Sequence, residues 1–228
     1  TLAIRSTAEI IGDGMAVFND EEDLELARDA VASNLKLMES LIKGDPDNRK
    51  LLLAASEGFC GVALGFIEMD MEKAFDVDDE KYEALRTRAK VFYRRCLKYS
   101  LRVISSEYSD FERLMKEGSV DEMKDYVSKI DESYIDALFW TAFAWGSIIN
   151  HSRDDMSVMA ALPKVKVVMT KVMEIDPAYF NASPHLFFAM LNASLPKMLG
   201  GNPEAAKEHF LKAMELTDNR LLLANVFY

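Results

Sequence analysis

The chain has 228 residues, half of them hydrophobic, which is enough to bury a full core in one domain or one solenoid. A formal net charge of -11, with lysines and arginines scattered along the chain, excludes a general electrostatic grip on nucleic acid. Two cysteines are too few for a disulfide scaffold, and no apolar run approaches the roughly 20 residues needed to cross a bilayer.

Abundant Leu, Ala and Met, few Gly and Pro, and no period-two runs of Val, Ile or Thr predict an all-α protein. Residues 1–18 form a weakly patterned leading segment, interrupted by Gly12 and Gly14, where a short helix and a turn are expected. The chain opens at Thr1 instead of methionine, which is compatible with a removed leader and says nothing of compartment. Residues 19–104 hold the first repeats. Asn19 and Asp20 are expected to cap a helix whose packing face carries Leu24, Ala27, Val31, Leu35, Met38 and Leu41, stopped by Gly44, Asp45 and Pro46. Asp47 then opens a helix to about Glu68, in which Leu52, Ala55, Ser56 and Phe59 follow by size the first-helix spacing of a tetratricopeptide repeat.

An acidic loop over 70–79 leads to a helix over 80–104, where Ala89, Tyr93 and Cys96 form a ladder of small and aromatic residues. Cys60 and Cys96 can pair if the two helices bring them within reach; two buried free thiols are the alternative. Residues 105–132 are the most charged stretch and read as a solvated connector with two short helices, 110–116 and 120–129, or else as a docking surface.

Residues 133–217 hold the central and C-terminal repeats. Asp131 or Ser133 caps a helix over 134–150 that is apolar almost all round and therefore central, with Leu138, Thr141, Ala142 and Trp145 at the first-helix spacing. It is also the longest apolar run of the chain, over 137–150, and Gly146 breaks it. A polar break leads to a helix ending at Ile175 with Val165, Met169 and Val172 on its ladder, then a loop over 178–184 and a helix over 185–199 that Pro196 is expected to kink. Asn202, Pro203 and Glu204 mark the clearest helix start in the chain. Ala206, Phe210 and Ala213 there reproduce the second-helix spacing of a tetratricopeptide hairpin. Residues 218–228 read as a truncated or capping helix. The expected architecture is about three tetratricopeptide-like hairpins with flanking helices in one superhelical stack.

Four stretches together resemble a known family. They are Gly44 to Gly58, the helix Leu138 to Asn150 with its two tryptophans, the Leu162-Pro163-Lys164-Val165 run, and the double-glycine turn Leu199 to Ala206. In order and spacing they are similar to the TatT family, the tetratricopeptide T component that accompanies some tripartite ATP-independent periplasmic (TRAP) transporters. The resemblance implies a periplasmic lipoprotein, held to the membrane through an N-terminal lipid on a cysteine before Thr1, that self-associates as a trimer. It also implies work beside the substrate-binding P component, with an apolar ligand passed between them.

No catalytic constellation is present. His151, His185 and His209 lie far apart in the sequence, none has a second His or a Cys at metal-ligand spacing, and each reads as a surface or cap residue. Elbow, phosphate-loop and His-Glu-x2-His motifs are lacking, and acid pairs such as Asp78-Asp79 and Asp154-Asp155 sit where helix caps belong. A non-enzymatic protein without cofactor or metal is expected. In a tetratricopeptide stack the first helix of each pair lines the groove. That register puts Leu53, Glu57 and Cys60, then Phe139, Phe143 and Gly146, then Leu191, Leu195 and Met198 on the groove stripe. Ordinary core is the competing reading of these residues. If the stripe is a groove, its expected ligand is aliphatic or aromatic, with polar contacts from Glu57, Asn150 or Arg153. The expected function is a TRAP accessory component that binds the P component and an apolar ligand; a general peptide-binding tetratricopeptide adaptor is the alternative.

Overall fold

The computed structural model describes residues 21–220 together with Thr7, and these are helical throughout, without strands. The expectations for the rest of the leading segment, for caps at Asn19 and Asp20 and for the segment after Arg220 lie outside the described residues. Helix α1 (Leu24–Gly44) is capped by Asp23, whose carboxylate accepts from the amides of Glu25 and Leu26. It buries Ala27, Leu35, Met38 and Ile42, and it ends at Asp45 as the Gly-Asp-Pro stop requires.

Helix α2 (Arg49–Ala74) is capped by Asn48 and runs past its expected end at Glu68. Its middle, Ala63–Glu68, is a π-helical segment that continues without a break into Met69–Ala74. This continuity makes α2 long and apolar enough to span a membrane by length and composition, which the interrupted apolar pattern did not show. More than half of its apolar window is buried against neighbouring helices, so here it is a core helix. Asp78 caps α3 (Asp79–Ser105), close to the bounds read from the sequence.

Cys60 and Cys96 are bonded to each other across α2 and α3, with Cα atoms 5.6 Å apart. Around them Ala55, Phe59, Ala89 and Tyr93 are fully buried. The small residues let the helix backbones approach, and the rings fill the gaps between them. Ser56 Oγ donates to the carbonyl of Cys96 across the same interface, so its hydroxyl is satisfied in the core.

The charged stretch is more than a connector. Its helices α4 (Phe111–Glu117) and α5 (Val120–Val127, entered through a capping box at Ser119) bury Phe111, Leu114, Met115, Met123 and Val127. They turn their charges to solvent and pack α5 against the later helix α8. A buried lysine ties them down: Lys164 Nζ donates to the carbonyls of Leu114 and Gly118.

Asp131 caps a 3-10 turn that leads into α6 (Ile135–Asn150), with Ala137, Leu138, Thr141 and Ala142 buried and Thr141 Oγ1 donating to Ser100 Oγ of α3. The single turn α7 (Met156–Met159) precedes α8 (Leu162–Ile175), whose ladder residues Val165, Met169 and Val172 are all fully buried. Helix α9 (Tyr179–Ser194) begins with a kink in which Phe180, Asn181 and Ala182 all have φ between 46° and 57°. Three consecutive non-glycine residues in the left-handed region are sterically costly. The regular part of α9 therefore starts near Pro184, close to the expected His185. Pro196 lies beyond the helix end instead of kinking it. Gly200, at φ 91°, turns the chain, and a Cβ at Gly201 would fall 1.8 Å from the Leu195 carbonyl oxygen, so the pair must be glycine. Asn202 then caps α10 (Pro203–Leu216) by accepting from the Ala205 amide.

The helices pack in chain order: α1 on α2, α2 on α3, α3 on α6, α6 on α8, α8 on α9 and α9 on α10, with α2 also touching α6. One large apolar core runs from α1 to α8 and takes in Phe188 of α9. The α9–α10 pair has a smaller core of its own, formed by Ala182, Leu186, Ala189, Phe210 and Ala213.

Candidate functional site

The cleft lies where those two cores meet. One wall is α6, which presents Phe143, Gly146, Ser147, Ile149 and Asn150; the facing wall is α9, with Leu186, Phe187, Met190 and Leu191. The π turn of α2 adds Leu64 and Glu68, and Arg153, Met159, Leu162, Ser183, Ser194 and Leu195 complete the rim. The volume is about 250 Å³, just under the ~300–1,000 Å³ common for drug-sized ligands. Gly146 lets the walls approach, since a Cβ there would come within 2.7 Å of the Phe187 ring.

Of the residues placed on the groove stripe, Phe143, Gly146, Leu191 and Leu195 line this cleft, as do Asn150 and Arg153, expected as polar contacts. Leu53, Glu57, Phe139 and Met198 do not. Phe139 is 1% exposed within a cluster of rings, 4.9 Å from Trp140, 5.1 Å from Tyr179 and 5.7 Å from Phe180 between centroids. The turn from α8 into α9 thus fills the part of the trough that Phe139 would have lined. Glu57 lies near enough to Tyr179 to raise its pKa, so it too faces this filled end. Leu53 packs half-buried against the core, Cys60 is spent in the disulfide, and Met198, 90% exposed, sits beyond α9. The cleft occupies the C-terminal halves of α2 and α6, one to two turns from where the stripe on α2 was placed.

A buried polar cluster supports the cleft from behind. Tyr93 Oη donates to Glu68 Oε1 at 2.6 Å, and His151 Nε2 lies 2.8 Å from the same oxygen. The Tyr93 and His151 rings stack, with centroids 5.9 Å apart. Burial first, and then the Glu68 charge, hold the Tyr93 hydroxyl far above the ordinary phenol range, so it stays a donor. His151 is the C-cap residue of α6, as the cap reading has it, but at 5% exposed it lies in the core and not at the surface. Sequence reading also missed Leu64, Glu68, Ser147 and Phe187. The available signal for Glu68 was a lone carboxylate at the end of an otherwise apolar helical run.

The other two histidines, distant in sequence, face each other: His185 Nδ1 and His209 Nδ1 are 3.0 Å apart, between α9 and α10. This contact requires one nitrogen to donate and the other to accept, so at least one ring is neutral. Burial lowers both pKa values below the ordinary 6.5; the charge of one ring on the other and Lys212 add to this at His185, and Glu208 opposes it at His209. A histidine pKa depressed on folding means that the unfolded chain takes up protons first as pH falls through about 6.5. Stability is therefore expected to drop as pH falls through the window below about 6.5, starting above the range where the Asp70 and Glu39 carboxylates, whose pKa values are lowered, titrate. Melting temperatures across that window test this, and His209→Gln is expected to flatten the slope to about half. Among the described residues no three His, Cys, Asp or Glu side chains converge on a metal position.

Compared with known proteins, residues 20–228 match the family described as TRAP transporter T-component. The chain belongs to that family. The family suggests an extracytoplasmic location, with which a core disulfide agrees. The chain is also 22% identical over 202 residues to an uncharacterized protein of Treponema pallidum (strain Nichols), a match that covers 87% of this chain and 61% of the relative. The chain thus spans less than two thirds of that relative's length.

Proposed function

We propose that this protein is a non-enzymatic, periplasmic accessory component of a TRAP transport system that binds the substrate-binding P component and holds an apolar small ligand in the α6–α9 cleft. In this reading α2–α3, α6–α8 and α9–α10 are three tetratricopeptide-like hairpins, a lipid anchors the full-length protein, and the working form is a homotrimer. The observation that carries the reading is that the leading helices α2, α6 and α9 all contribute to one mainly apolar cleft in a chain of the T-component family. The sequential packing of neighbouring helices supports the repeat arrangement. Among the described residues Arg153 is the lone cation on the lining, which disfavours the peptide-adaptor alternative, because gripping acidic peptide ends takes several charge-assisted donors.

Purified protein is expected to retain the P component of its own transporter in a pull-down, and failure to do so counts against the partnership. Organic-solvent extraction of the same preparation is expected to release a lipid-like species. Native mass spectrometry tests the trimer.

A further inference from the structure

The cleft is apolar, yet a carboxylate is set into its wall and held there rigidly. Glu68 reaches the lining because the π segment Ala63–Glu68 adds a residue to that turn of α2 and re-aims its face; π turns of this kind recur at functional sites. Its Oε1 is occupied by Tyr93 Oη and His151 Nε2, from residues that are 0% and 5% exposed. Its Oε2 has no hydrogen-bond partner among the described residues, and the side chain keeps 26% of its surface exposed. A carboxylate oxygen set among mainly apolar lining residues attracts donors and repels anions.

Arg153, a cation on the same lining, makes no ion pair with Glu68 among the described residues. Two of its nitrogens donate to Asn150 Oδ1 and to the Ser194 carbonyl, so the guanidinium ties the end of α6 to the end of α9 across the rim. The C-terminal end of α6 at Asn150 adds further negative potential on the same side.

We propose that the cleft takes an amphipathic molecule whose hydroxyl or ammonium head bonds to Glu68 Oε2 while its apolar body lies between Phe143 of α6 and Phe187 and Leu191 of α9. This rests on the ligand-binding reading above and adds the chemistry of the head group. At Glu68 a carboxylate head is disfavoured on both counts, charge and lack of a donor.

The test titrates decanol, decylamine and decanoate into the full chain near pH 7, each displacing an environment-sensitive apolar dye. Decylamine and decanol are expected to bind at least about tenfold more tightly than decanoate. Glu68→Gln keeps an acceptor for Tyr93 and is expected to fold, as checked by melting temperature and near-ultraviolet circular dichroism, but to lose the preference for the amine. Decanoate binding as tightly as the other two, or an unchanged order in Glu68→Gln, overturns the head-group assignment and leaves the apolar cleft standing. If the dye binds and none of the three displaces it, or if the dye does not bind, the ligand-binding reading itself falls.

Discussion

Replacing Cys60 and Cys96 together by alanine is expected to lower stability by about 3–4 kcal/mol and the melting temperature by roughly 6–16 °C. The bond closes a loop of 36 residues that contains the whole α2–α3 turn, so in the chain-entropy account it removes many conformations from the unfolded state. Differential scanning calorimetry of the oxidised protein and the double variant measures the effect. Reduction of the wild type after mild denaturation is the companion experiment, since it opens the loop without deleting any atoms from the core. Agreement between the two losses assigns them to the bond, whereas a loss seen only in the variant would assign it to packing. Both sulfurs belong to fully buried residues, so reductant alone is expected to act slowly, at the rate at which the hairpin opens.

Phe139→Ala is expected to cost about 3–5 kcal/mol of stability, the range for a fully buried phenylalanine truncated in a core that only partly collapses. Its ring meets Trp140, Phe143, Tyr179 and Phe180, and the last two belong to the strained turn that opens α9. Losing that contact removes part of what holds Phe180, Asn181 and Ala182 in the left-handed region. Chemical denaturation read by tryptophan fluorescence checks this through Trp140. Leu191→Ala, on the half-buried wall of the cleft, is the control: it leaves less cavity behind and is expected to cost clearly less, while weakening binding of apolar dye. Were Phe139→Ala to cost under about 1 kcal/mol and abolish dye binding, the ring would belong to the ligand surface after all.

The helix content, most helix ends and the packing ladders were legible in the sequence because each depends on neighbours a few residues away. Asn202, Pro203 and the triplet Ala206, Phe210 and Ala213 are examples, and so are Ala89, Tyr93 and Cys96: cap chemistry and a 3.6-residue period require no knowledge of the rest of the chain. The resemblance to the T-component family, carried by the tryptophan helix and the double-glycine turn, agrees with the match over residues 20–228.

The candidate site was only half legible. Residues Phe143, Asn150, Leu191 and Leu195 follow from helical period once α6 and α9 are taken as groove-lining helices, but the position of the groove along those helices does not. It depends on which stretch of trough another element fills, and here the turn carrying Tyr179 and Phe180 covers Phe139 and leaves the far end open. The π turn that brings Glu68 to the wall changes the period inside a helix, a choice made by packing against α3. The three histidines make the same point: separated by at least 24 residues in the chain, His185 and His209 meet because α9 and α10 pair, and His151 is buried because Glu68 and Tyr93 receive it. Short-range order along this chain thus determined that it is a helical protein and where its helices begin. Only the tertiary fold decided which faces remain open to a ligand, because burial is a property of what lies opposite a residue and that partner is remote in sequence.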